Sequence, residues 1–153
     1  MNLLLMAVMM LILAIVIVVG YKLTKQLNSS IQSQDIIPQE AKDMAQNMQD
    51  KYVSIWDVLF LVLLVLMYLV LIASAWFVDT HPFFFVISML LMAITAFIGG
   101  HLANAYSSFA EGMPSDSGDF TIIPYIFQHY IQILVIIGVS VAVALFAKLR
   151  SGE

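Results

Sequence analysis

Three histidines, His81, His101 and His129, are the side chains of this sequence best suited to acid–base or metal chemistry. They lie far apart, and none has a second histidine or a carboxylate three or four residues further on, the spacing that helical metal and haem sites commonly use. The chain has no cysteine, which removes thiolate nucleophiles and disulfide bonds. No serine has a nearby histidine base, and there is no glycine-rich phosphate loop. We therefore expect no catalytic residue, no cofactor and no metal site.

Two polar features occur inside apolar segments. Gln128, His129 and Gln132 lie near the start of one segment, and Asp57 lies at the start of another. Intramembrane polar groups usually bond to a neighbouring helix, so we interpret the trio as interhelical hydrogen-bonding residues, with a binding site as the alternative. Asp57 is close enough to a helix end to reach water. We interpret it as an interfacial or N-terminal-turn carboxylate, with a proton carrier as the alternative.

The composition is far more apolar than that of a soluble protein, so a polar residue inside an apolar segment is informative. The 153 residues are 62% hydrophobic and only 10% charged, whereas soluble domains average roughly 45 to 50% and 25%. The mean hydropathy is +0.98. These values predict a membrane protein whose first partner is the lipid bilayer. The formal net charge of −4 leaves no basic patch, so we expect no direct nucleic-acid binding.

Four segments are long enough to cross a bilayer, which needs roughly 20 apolar residues in a helix. They cover about 3–20, 55–78, 82–100 and 122–147. Lys22 and Lys25 follow the first segment, whereas a secretory signal has its basic residues before the apolar core. We expect this segment to be retained as a transmembrane helix, and a cleaved signal is the alternative.

The second and third segments form a predicted central hairpin. Only a short polar turn separates them, so the two helices must leave and re-enter the membrane at one face. The turn consists of Asp79, Thr80, His81 and Pro82. Proline suits the first turn of the next helix. Trp56 and Trp76 stand near the two ends of the second segment and are predicted interface anchors.

Residues 21–54 connect the first span to this hairpin. The stretch 26–34 is polar without an apolar period and predicts a linker. From 39 to 52, Met44 and Met48 belong to a narrow apolar stripe, which predicts an amphipathic helix. We favour a helix that lies on the headgroups or packs on its own bundle. The alternative is a rigid stalk, continuous with the second span, that holds a partner outside the membrane.

The third span carries a stripe of small residues, which allow helix backbones to approach closely in a membrane. We interpret this stripe as a packing seam rather than a ligand groove. The predicted helix-packing residues are Ser88, Met92, Thr95, Ala96, Gly99 and Gly100.

Four spans place residues 21–54 and the loop at 101–120 on one side of the membrane. Lys22, Lys25 and Lys51 lie near span ends on that side, against Lys148 and Arg150 on the other. The positive-inside rule therefore favours long loops inside and both termini outside, by a narrow margin.

From residue 51 to 150 the chain resembles small multi-pass membrane proteins of tailless icosahedral viruses that have an internal lipid membrane. The resemblance rests on Trp56-Asp57, the turn at 79–82, Asn104 with Tyr106, and a last helix that ends in Lys148. It implies a structural virion protein of the internal membrane that meets the capsid shell, with no catalytic residue.

The sequence as a whole predicts an all-α integral membrane protein with four transmembrane helices, a central hairpin and one amphipathic helix before the second span. We treat residues 1–153 as one membrane domain. We expect a non-catalytic structural component of a larger assembly, in contact with other membrane or capsid subunits. A homo-oligomer is a further option. Its expected location is a virion internal membrane, and the host cell membrane during assembly. A small accessory subunit of a respiratory or oxidase-type complex is the alternative, and a holin or channel is a weaker one.

Overall fold

The computed structural model describes residues 3–77 and 82–151, and these form helices joined by short connections. The helices are α1 (Leu3–Gln32), α2 (Gln39–Phe77), α3 (Pro82–Glu111), α4 (Pro114–Ser117), α5 (Ile122–Gln128) and α6 (Tyr130–Ser151). Four of them, α1, α2, α3 and α6, contain stretches long and apolar enough to cross a membrane. The predicted all-α, multi-pass membrane fold is confirmed. In the predicted turn, Pro82 begins α3, whereas Asp79, Thr80 and His81 lie outside the described residues.

The four long helices form a ring in which sequence neighbours are not always packing neighbours. Helix α1 packs along α2 and against α3, and α6 packs along α3 and against α2. By contrast, α2 and α3 barely touch within the described residues. Helices α2 and α3, which flank residues 78–81 in the sequence, are thus separated in the bundle by α1 and α6.

Helix α1 supplies much of the interior, because its buried residues repeat at steps of three and four. Ala7, Met10, Ala14, Ile17 and Tyr21 are each at most 6% exposed. This spacing is that of a coiled-coil seam, and the alanines allow close contact with neighbouring backbones.

The predicted linker at 26–34 is wrong as far as Gln32, because α1 continues to that residue. Asn28 lies one heptad after Tyr21 and is buried. Its side-chain nitrogen donates to Gln46 Oε1 at 2.7 Å and to Gln49 Oε1 at 2.6 Å. The buried face of α1 therefore continues beyond the apolar segment, with the Asn28 amide at a position where an apolar side chain would be expected. Hydropathy does not detect this continuation, because the buried residue is polar.

The predicted amphipathic helix exists and is continuous with the second span in the 39 residues of α2. It also packs on its own bundle, through its polar side: besides Gln46 and Gln49, Lys42 Nζ donates to Gln32 O at 3.1 Å. Met44 and Met48 of the predicted apolar stripe are 68% and 64% exposed, so these two side chains do not pack on the bundle. They project away from α1, since each lies about 200° around the helix from Gln46.

The fourth predicted span, 122–147, is divided at His129 into α5 and α6. His129 has φ −106° and ψ 19°, outside helical values, and its Nδ1 lies 3.0 Å from Tyr125 O. Helical hydrogen bonding resumes at Ile133 N, which donates to His129 O at 3.0 Å. The segment long enough to span a membrane is consequently Tyr130–Lys148.

Candidate functional site: the polar end of the bundle

Polar contacts join the two long connections at one end of the bundle, here called the polar end (Tyr21, Lys25, Asp57, Asp116 and Asp119). Lys25 Nζ lies 3.4 Å from Asp116 Oδ1, and Tyr21 Oη donates to Asp119 Oδ2 at 2.8 Å. These bonds tie the end of α1 to the loop after α3. The two connections therefore lie on the same side, as a four-span topology requires.

Among the carboxylates of the polar end, Asp57 accepts the most hydrogen bonds from described residues. It is 6% exposed and accepts three backbone hydrogen bonds: Oδ2 from Thr121 N at 2.9 Å and Ile122 N at 2.7 Å, and Oδ1 from Ile123 N at 2.8 Å. The first N–H groups of a helix have no partner within that helix. Asp57 thus caps α5 from a different helix. We expected a carboxylate at the first turn of its own helix, and it serves the first turn of α5 instead.

Aromatic rings fill the space between α1, α2 and the loop before α5. Tyr21 contacts the edge of Phe120 at a centroid distance of 5.6 Å and lies 5.7 Å from Tyr52. Trp56 follows at 5.7 Å from Tyr52 and is partly buried, whereas Trp76 at the other end of the span is 46% exposed. Trp76 is free to meet lipid over much of its surface, while Trp56 is shared with the bundle. The interface-anchor role of both residues stays a prediction.

A second buried polar contact joins α6 to α1. Tyr130 is 2% exposed, and its hydroxyl donates to Ala7 O at 2.5 Å. Phe127 stacks on Tyr130 and on Tyr106, with centroid distances of 4.8 and 4.2 Å. The Tyr106 hydroxyl is buried without a hydrogen-bond partner among the described residues.

An open groove of about 780 Å³ lies beside this aromatic stack, between the last third of α3 and the α5–α6 junction. Small side chains of α3 form one wall and the polar residues of the fourth segment form the other. The lining side chains with hydrogen-bonding groups are Asn104, Tyr106, Ser107, Gln128, His129, Tyr130 and Gln132, of which Tyr130 donates its hydroxyl to Ala7 O.

The three residues predicted to bond between helices, Gln128, His129 and Gln132, lie at this groove. Gln128 and Gln132 are exposed and line it, and the His129 ring bonds to Tyr125 O one turn earlier. Within the described part of the chain, neither glutamine side chain has a hydrogen-bond partner. Interhelical bonding by the trio stays a prediction.

The predicted seam on α3 lies where α3 meets α6. Thr95 and Gly99 are buried, and Ser88, Met92, Ala96 and Gly100 are partly buried. A Cβ atom on Gly99 would come within 2.5 Å of Leu134 Cδ1, and one on Gly138 within 2.6 Å of Met92. Contact between the two helices at these points therefore depends on glycine.

Sequence reasoning missed Tyr21, Asn28 and Tyr130 as residues that hold the bundle together. The heptad spacing of Ala7, Ala14, Tyr21 and Asn28 was the signal that could have found the first two. Nothing in the sequence pairs Tyr130 with a backbone carbonyl of α1. Comparison of the chain with protein-family models, curated proteins and solved structures gives no match.

Proposed function

We propose that this chain is a non-catalytic structural membrane protein of a larger assembly, namely a virion with an internal membrane, where it contacts the capsid or other membrane subunits. The observation that carries the proposal is the paired extension of α1 and α2, here called the stalk (residues 21–32 and 39–54). It ends in a short connection at 33–38.

The stalk extends beyond the length of helix that is needed to cross the bilayer. A span takes roughly 20 residues, and α2 has 39. Its stalk part, residues 39–54, adds 16 residues, or about 24 Å of helix, beyond the lipid core. Asn28, Gln46 and Gln49 hold α2 against α1 along this length. A braced helix pair of this kind suits contact with a layer outside the membrane.

The outer face of the stalk carries exposed apolar side chains. Met44 and Met48 are one turn apart and mostly exposed, and Ile36 at the tip is 95% exposed. Methionine adapts to irregular partner surfaces and is common at binding faces. This face supports a protein partner on the side of the polar end.

Site-specific crosslinking in native membranes or particles tests the proposal. The chain has no cysteine to remove, so a single cysteine at Met44 can carry a short photo-crosslinker. The matched control is Val62, which is 45% exposed on the apolar part of the same helix. We expect a capsid or shell protein to be captured from position 44 and not from position 62.

Other outcomes separate the alternatives. Capture of a haem- or copper-bearing subunit would support the respiratory accessory subunit, and dye leakage from liposomes holding the purified chain would support a holin or channel. Absence of any protein adduct at position 44 in the native membrane would contradict the assembly role.

A further inference from the structure

We propose that the groove between α3 and the α5–α6 junction binds the headgroup of a zwitterionic phospholipid with a primary ammonium group, of the phosphatidylethanolamine class. The proposal is independent of the assembly in which the protein acts.

The depth of the groove in the membrane supports a headgroup as its occupant. Gly100 ends the apolar part of α3, and the candidate span of α6 begins at Tyr130. Asn104, Ser107 and Gln128 lie past these points, toward the polar end. Ile131 is 46% exposed on the lipid side, where an acyl chain would continue from the headgroup. With the third span ending at Gly100, as the sequence predicts, the groove lies where the hydrocarbon meets the headgroups.

The lining offers neutral hydrogen-bond donors without a counter-charge. None of the lining residues is Lys, Arg, Asp or Glu. Asn104, Gln128 and Gln132 have no side-chain partner within the described part of the chain, so their amide N–H groups are available to a ligand. Amide N–H groups suit the single charge of a phosphodiester, whereas a strongly anionic headgroup would call for arginine or lysine.

The rim of the groove carries a carboxylate that can pair with an ammonium group. Ser107 Oγ, in the lining, donates to Glu111 Oε1 at 3.4 Å, which places a carboxylate beside the groove. Glu111 is also the last residue of α3, where the helix dipole favours a cation. The basic residues of α1 make other contacts: Lys22 bonds to Met113, and Lys25 bonds to Ser115 and Asp116.

A primary ammonium fits this rim better than a quaternary one. Quaternary ammonium groups are usually bound by the open faces of several aromatic rings. Here Tyr106 and Phe127 stack on each other at 4.2 Å with an interplanar angle of 15°. Hydrogen-bond acceptors rather than ring faces are therefore available to the headgroup.

Native mass spectrometry of the purified full chain tests the site with phosphatidylethanolamine, phosphatidylcholine and phosphatidylglycerol of identical acyl chains. We expect the ethanolamine lipid to bind most tightly. The Asn104→Ala, Gln128→Ala double variant should bind it about tenfold more weakly, as expected for loss of a bond to a charged group. Both residues are exposed, and the matched control Asn47→Ala removes an exposed amide from the stalk.

Glu111→Gln tests the headgroup assignment separately. It should abolish the preference for ethanolamine over choline while leaving choline binding unchanged. Equal binding of the three lipids, preference for the glycerol lipid, or unchanged binding by both variants would overturn the proposal. So would crosslinking of a cysteine at Gln128 to a partner transmembrane helix in the native membrane, because the occupant would then be protein.

Discussion

At the scale of single residues, two buried polar side chains connect helices that are far apart in the sequence. Asp57 holds the first turn of α5, and Tyr130 holds a carbonyl of α1. Buried polar groups in a membrane protein are costly unless they are bonded, so each such residue specifies which helices must meet.

Replacing Asp57 by alanine should destabilise the protein by about 2–4 kcal/mol, because it removes a helix cap and leaves three backbone N–H groups without their acceptor. Asp57→Asn should cost less, since an amide oxygen can still accept. Thermal unfolding in detergent measures both. The control is Asp50→Ala, an exposed carboxylate of the same helix bonded to Gln46. Equal melting temperatures for the Asp57 and Asp50 variants would refute the capping role.

Tyr130→Phe should cost about 1 kcal/mol, because it removes one hydroxyl donor from Ala7 O while keeping the ring in its stack. Tyr125→Phe is the matched control, since Tyr125 is 60% exposed. Melting temperatures of the two variants in one detergent provide the comparison. If the control loses as much stability, the bond to α1 is not the cause.

At the scale of elements, the contact between α3 and α6 depends on glycine on both helices. Leu134, which faces Gly99, is only 2% exposed and has little space into which it could move. Lipid offers no hydrophobic driving force between helices, so close packing contributes much of the affinity between α3 and α6.

Gly99→Leu should therefore lower stability by about 1–3 kcal/mol through overpacking. Gln132→Leu introduces the same side chain on α6 at an exposed position and should be milder. The yield of folded, monodisperse protein and its melting temperature in detergent decide between the two positions. Equal losses, or a larger loss for Gln132→Leu, would count against the seam.

At the scale of the whole molecule, the polar end sets the topology of the bundle. Contacts of Tyr21 and Lys25 with the loop at 112–121 place both long connections on one side. They leave open which side of the membrane this is, and the excess of Lys residues near span ends predicts the inside.

Single cysteines labelled with a membrane-impermeant maleimide should report this arrangement. Positions Ser30 and Ser115 should be protected in sealed cells or vesicles, while Thr80 and Ser151 should be labelled. Ser115 is preferable to Ser117, which is 5% exposed and bonded to Ala110 O. The mirror pattern would reverse the orientation. Different behaviour of Thr80 and Ser151 would contradict four spans.

The sequence alone determined the class of fold, because a lipid core admits only chains whose backbone is satisfied internally. Four apolar segments of sufficient length, with Asp57 as their one charged residue, meet that condition as helices. Hydropathy was enough to locate these segments. Hydropathy did not predict that α1 continues through residues 26–32, or that the fourth segment is interrupted at His129. Both features depend on hydrogen bonds.

Only the tertiary structure decided what the polar residues do. The partners of Asp57 are 64 to 66 residues away, and Tyr130 reaches a carbonyl 123 residues away. The same holds for the stripe of Met44 and Met48, which predicts a face that meets either the headgroups or the bundle. In the structure the groups of α2 that meet Asn28 are the amides of Gln46 and Gln49. A periodic pattern identifies the faces of a helix, but the face that turns inward depends on which neighbour can satisfy it.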